Sequence, residues 1–205
     1  MKPDGENRGE SIYETSFNKA AAILRSCDFD RLCRICGTRL EGTSILVPFF
    51  NEEYTIKLPE VVFYPQTLSI YEHILILHYL TTQQNHTTKG EYVSFKNLPG
   101  AFFYNSTYRK RGPKQIIRKF GKNIDRIVEA SEKIGGEKAD YCDVSVKLTV
   151  FPKIEAIVVL YRGDEEFPPE ANILYRDDII NYLPLEDIAV LAGLIASRLK
   201  KAVDS

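Results

Sequence analysis

No stretch of this 205-residue chain approaches the roughly 18 uninterrupted apolar residues that a membrane-crossing helix requires. The most apolar window, residues 70–80, is interrupted by Glu72, His73 and His78. Residues 1–10 are rich in Pro, Gly, Asn and charge and lack the apolar segment of a signal peptide. They are predicted to be a flexible tail, with residues 11–202 forming a single domain. The four cysteines are irregularly spaced, which argues against a disulfide framework and for reduced thiols in the cytoplasm.

Other absences narrow the chemistry. The sequence contains no G-x-x-x-x-G-K and no G-x-G-x-x-G after a strand, so nucleotide binding by those routes is excluded. There is no G-x-S-x-G elbow for a nucleophilic serine. Of the three histidines, His73 and His78 lie five positions apart, about 140° around a helix, and so do not chelate one ion from one face. A net charge of −1 gives the whole molecule no long-range attraction for nucleic acid or acidic lipid, and no sequence-specific nucleic-acid motif is present.

A hydrophobic share of 44% with 27% charged residues is the composition of a folded protein. The patterning predicts an α+β fold, with antiparallel sheet segments over 43–64, 92–95 and 143–161 packed with helices. Ser11 with Glu14 has capping-box spacing ahead of a helix through Cys27. Asp28 is placed to cap a short helix carrying Phe29, Leu32, Cys33 and Cys36, and Gly37 to end it. Alternation over Ser44–Phe50 and Tyr54–Leu58, followed by Val61–Tyr64, reads as a meander. Ser69 with Glu72 offers a second capping box before an almost wholly apolar helix, which should therefore be central. Pro113 suits a helix start, Gly121 its end or bend, and Asn123 a cap for Ile124–Ile134. Val144–Phe151 and Ile154–Tyr161 read as paired strands, the second interior. Pro184 opens the last helix, with Ile188, Leu191, Ala192, Ile195 and Leu199 as its buried stripe.

The charge is uneven. Between Arg109 and Arg126 there are eight basic residues and one acidic, net +7, leaving −8 for the rest of the chain. Lys114, Arg118, Lys122 and Arg126 recur every four residues and would align if one helix continued past Gly121. Tyr104 and Tyr108 lie beside Arg109 and Arg111, a combination suited to phosphate, carboxylate or RNA. Solvated charge opposing an acidic remainder is the plainer reading. Asp164 and Glu166 follow an interior strand and precede the rigid Pro168 and Pro169, so they are held more closely than ordinary loop charges. With His78 they form the candidate acid–base set. Cys33 and Cys36 make a C-x-x-C that Cys27 and Cys142 would complete as a zinc or iron–sulfur site. Against this, three of the four continue apolar helix faces, where free cysteine behaves as a small hydrophobe. No cofactor is required by any of these patterns.

The segments ILILHYL (Ile74–Leu80), YVSFKNLPG (Tyr92–Gly100), RKFGKN (Arg118–Asn123), GDEEFPPEANILY (Gly163–Tyr175) and YLPLEDIAVL (Tyr182–Leu191) resemble an uncharacterised prokaryotic domain family found mainly in anaerobes. The resemblance runs from Ser11 to Leu199, and its most specific piece is the DEEFP turn with the LP-x-ED helix start. Tyr161 stands where that family often has Trp. Some members of the family are joined to a cysteine-rich iron–sulfur domain like those of corrinoid and carbon monoxide enzymes; no such segment is present here, and the Cys33–Cys36 pair is not a hallmark of the family. The resemblance implies a role beside anaerobic redox or one-carbon metabolism. Three expectations follow: a binding or accessory protein holding an anionic small molecule, or a redox or one-carbon enzyme partner, through Tyr104, Arg109 and Arg111; an enzyme using Asp164 or Glu166 with His78; or a metalloprotein using the four cysteines.

Overall fold

Two antiparallel sheets and seven helices share one core in the computed structural model, which describes residues 5–82 and 84–204. Helix α1 (Gly5–Arg25) buries Ala20, Ala21 and Leu24. It starts six residues before Ser11, so Ser11 lies within the helix rather than at its start, and the segment predicted as a tail is helical from Gly5; residues 1–4 lie outside the described residues. Helix α2 (Phe29–Cys36) forms as its sequence dictates. The Asp28 carboxylate accepts the Arg31 N–H at 3.0 Å, and Gly37 closes the helix at φ 68°, a left-handed conformation that glycine adopts without steric cost.

A four-stranded meander follows, of β1 (Arg39–Glu41), β2 (Ser44–Phe49), β3 (Glu52–Lys57) and β4 (Val62–Tyr64), paired in chain order. Ile45, Val47 and Phe49 alternate inward on β2 and meet Tyr54 and Ile56 of β3. Helix α3 (Ile70–Thr81) starts at the predicted capping box, with the Ser69 hydroxyl accepting the Glu72 N–H while the Glu72 carboxylate accepts the Ser69 N–H. Ile74–Leu77, Tyr79 and Leu80 are buried, and the helix is central as its composition requires. Each such aliphatic side chain contributes about 2 kcal/mol on leaving water.

The second sheet has five strands in the order β5-β9-β8-β7-β6: β5 (Tyr92–Ser94), β6 (Glu137–Ala139), β7 (Val144–Phe151), β8 (Ile154–Tyr161) and β9 (Glu170–Arg176). The apolar run of β8 occupies the middle position, as expected. Strands β6 and β9 extend the sheet beyond the segments predicted from alternation. Between β5 and β6 the chain forms α4 (Asn105–Arg111), α5 (Pro113–Phe120) and α6 (Arg126–Glu132), all of which pack on the long last helix α7 (Leu185–Asp204). Gly112, between α4 and α5, is pressed onto α7: a β-carbon there would stand 2.7 Å from that of Ala192. Helix α5 ends at Phe120 and α6 starts at Arg126 with no side-chain cap, so Asn123 does not cap α6 and the expected stripe from Lys114 to Arg126 is broken between two helices.

The sheets meet at a cluster of aromatic rings. Phe49 of β2 lies 4.9 Å from Phe151 of β7, Tyr79 of α3 stacks on Phe151 at 4.1 Å, and the Phe50 N–H donates to the Val150 carbonyl at 2.9 Å.

Candidate functional site

The second sheet is incomplete on one side. Strand β9 pairs with β8 from Glu170 to Ala156's partner Tyr175, but β5 pairs only with Leu174–Arg176. The edge of β9 from Glu170 to Ile173 is therefore uncovered by strand, and a cleft of about 360 Å³ opens beside it. One wall carries Lys96, Asn105 and Arg109; the other carries Tyr161, Glu170 and Asn172. Asn105 and Arg109 are four residues apart on α4 and so face the cleft together. A second cleft of about 310 Å³ shares Arg109, Pro113, Glu170 and Ala171 with the first, and adds Lys114 and Arg118 from α5 and Pro169 from the acidic loop. The two clefts are contiguous along the strand edge.

Helix α4 is held in place by Tyr108. Its ring is buried, stacks on Phe95 at 4.1 Å, and its hydroxyl donates to the Ile173 carbonyl at 3.0 Å. Burial pushes the Tyr108 phenol well above its ordinary range, so it stays a neutral donor. Asn172 is itself fixed by hydrogen bonds: its amide donates to the Ser94 hydroxyl at 2.8 Å, and its carbonyl oxygen accepts the Ile173 N–H at 2.9 Å.

Electrostatically the site is one-sided. Among the described residues, none of Lys96, Arg109, Lys114 and Arg118 has a carboxylate within ion-pair distance, and Glu170 is the one acidic residue on either wall. Neighbouring cations are committed elsewhere, Lys119 to Asp204 and, beyond the helices, Arg162 to Asp125 at 2.8 Å. Four unpaired cations converging on a groove form a site for an anion, with Ser94, Asn105 and Asn172 supplying neutral hydrogen-bonding groups.

The residues singled out from sequence are distributed over several places. Arg109 lines both clefts. Arg111 faces α7, its β-carbon 3.4 Å from where one on Gly193 would stand. Tyr104 borders a separate cavity of about 390 Å³ with Pro99, Leu183 and Glu186. His78 pairs its Nδ1 with Asp187 Oδ2 at 2.5 Å, joining α3 to α7, and that bond raises its pKa above the ordinary value against the opposing effect of burial. Asp164 accepts the N–H of Phe167 at 2.7 Å and of Glu166 at 2.9 Å, and these bonds hold its carboxyl below the usual range. It braces the loop that delivers Pro169 and Glu170 to the cleft. His78, Asp164 and Glu166 line neither cleft.

Cys27 and Cys33 lie near Cys36, but the four cysteines do not gather into one site. The Cys36 thiol donates to the Tyr79 carbonyl at 3.5 Å, and burial pushes its pKa up to about 12. Cys27 donates to Ile23 at 3.3 Å, while Cys142 is exposed beside Tyr161. Among the described residues no group of three or more His, Cys, Asp or Glu is placed to hold a metal ion.

Lys96, Asn105 and Asn172 were not legible as site residues from motif spacing. The available signal was the alternation of Ala171, Ile173 and Tyr175, which marks the strand that builds the cleft.

Residues 28–198 match the family described as a domain of unknown function, DUF3786. The chain belongs to that family. The DUF3786 match begins at the Asp28 cap of α2 and ends within α7, so it takes in both sheets and every wall of the cleft. No similar curated protein and no similar solved structure was found. Among the described residues, no helix is long and apolar enough to cross a membrane.

Proposed function

We propose that this DUF3786 protein is a binding or accessory protein that holds an anionic ligand in the cleft between β9 and helices α4 and α5. The observation that carries the reading is the set of four cations, Lys96, Arg109, Lys114 and Arg118, facing one groove without ion-pair partners. Unpaired cations at the rim of a groove with protein walls attract anions and are screened by salt. Asn105, Asn172 and Ser94 orient the bound group, and Glu170, which lines both clefts, is the one acidic residue beside it. The family resemblance supports a place for this binding beside anaerobic redox or one-carbon enzymes, in the cytoplasm.

Isothermal titration with inorganic pyrophosphate tests the proposal. Binding is expected to weaken by about tenfold or more in Arg109→Ala, the loss of one charge-assisted contact. Equal affinity in the wild-type and Arg109→Ala proteins would place the anion elsewhere. The acid–base reading of Asp164 and Glu166 requires a substrate reaching the tip of their loop, and Glu166→Gln separates it, since it would abolish turnover there while leaving pyrophosphate affinity unchanged.

A further inference from the structure

We infer that the ligand of this cleft is an acidic peptide segment in extended conformation, which adds to β9 as a further strand; this rests on the anion-binding reading above and deepens it.

The backbone supplies the argument. Residues along a strand point their N–H and C=O alternately to the two sides. At Ile173 both groups are turned away from β8: the carbonyl accepts the Tyr108 hydroxyl, and the N–H is taken by the Asn172 side chain. Ala171, two residues earlier and inside the stretch that β5 leaves uncovered, turns its N–H and C=O to the same side. Ala171 lines both clefts, so the backbone groups it presents face the groove.

Asn172 acts as the stop that separates the two halves of this edge. Its amide bonds Ser94, the last residue of β5, and closes the gap where β5 ends. Beyond it, among the described residues, no strand covers Ala171 although α5 packs nearby, and an antiparallel partner would exchange two hydrogen bonds with it as β5 does further along. The side chains of such a partner alternate between the two faces of the sheet. Arg109 stands where the two clefts meet, with Lys96 lining the first and Lys114 and Arg118 the second. This charge pattern complements an extended segment bearing acidic side chains. Main-chain bonds would give such a peptide its register, and the cations its affinity.

The test uses a fluorescein-labelled hexapeptide of alternating glutamate and valine, measured by fluorescence polarisation at low ionic strength, with inorganic pyrophosphate as competitor. Two counterparts of identical charge are N-methylated, one at its glutamates and one at its valines. An added strand presents only every second N–H to the edge. One counterpart should therefore weaken by about tenfold while the other keeps the parent affinity, pyrophosphate should displace the parent, and Arg109→Ala should weaken it. Two counterparts that bind alike overturn the strand mode, as does undiminished peptide binding in Arg109→Ala. Pyrophosphate binding without peptide binding removes this inference and leaves the anion site standing. Failure of both probes removes both.

Discussion

His78 and Asp187 form a half-buried pair whose charge state depends on the protonation of His78. The Asp187 hydrogen bond raises the His78 pKa above its ordinary 6.5, more than burial lowers it. A raised folded-state value means that the folded protein binds the proton more tightly than the unfolded chain. The stabilisation is then fully present below about pH 6.5 and is lost as pH rises through the higher folded value. Asp187→Asn should bring the His78 midpoint in an NMR titration down. It should also cost about 1 kcal/mol near pH 6 and less near pH 9 in urea denaturation, the scale of a partly screened ion pair. Equal losses at both pH values would show that Asp187 acts only through packing. Asp164 illustrates the opposite outcome for a charged residue. Its carboxylate is occupied by two loop N–H groups and braces a turn rather than standing ready as a base.

Among the secondary-structure elements, α3 carries the clearest local code. Its capping box satisfies backbone donors at the helix start, and the Glu72 carboxylate also meets Arg198 of α7 at 3.1 Å. Ser69→Ala should cost about 1 kcal/mol and lower the melting midpoint by about 2–4 °C; an unchanged midpoint would mean that the Glu72–Arg198 pair alone holds this end. Capping motifs such as Asp28 and Ser69 were legible in the sequence because the chemistry is contained within a few residues. The same holds for β7 and β8, whose patterns are strong. Strand β9 was obscured: EANILYR follows an acidic, proline-rich loop and has apolar Leu174 on the face opposite Ile173 and Tyr175, which blurs the alternation. Losing that strand also hid the site, because the cleft exists only where β9 outruns β5. The basic segment was visible as composition, but its geometry depended on Gly121. The helix stops at Phe120, so Lys114 and Arg118 reach the cleft while Arg126 begins another helix. The His78–Asp187 pair joins residues 109 apart in sequence, and no local pattern announces such a contact.

At the level of the whole molecule, both sheets share one core through Phe49, Tyr79 and Phe151. Phe151 is fully buried between them. Phe151→Ala should cost about 3–5 kcal/mol and leave one cooperative transition, since neither sheet has a separate core; two resolved transitions in calorimetry would contradict the shared-core description. The charge distribution has the same global character. A chain of net charge −1 concentrates +7 between Arg109 and Arg126, and the fold turns Arg109, Lys114 and Arg118 from that segment, with Lys96, onto one groove. Attraction there should be local and strongly dependent on ionic strength. The most direct measurement is pyrophosphate affinity as a function of salt in the wild-type protein and in the double variant Arg109→Ala, Arg118→Ala. The expected result is affinity that falls steeply with added salt in the wild type and is lost, together with most of its salt dependence, in the double variant. Wild-type affinity with an unchanged salt slope in the double variant would contradict the account.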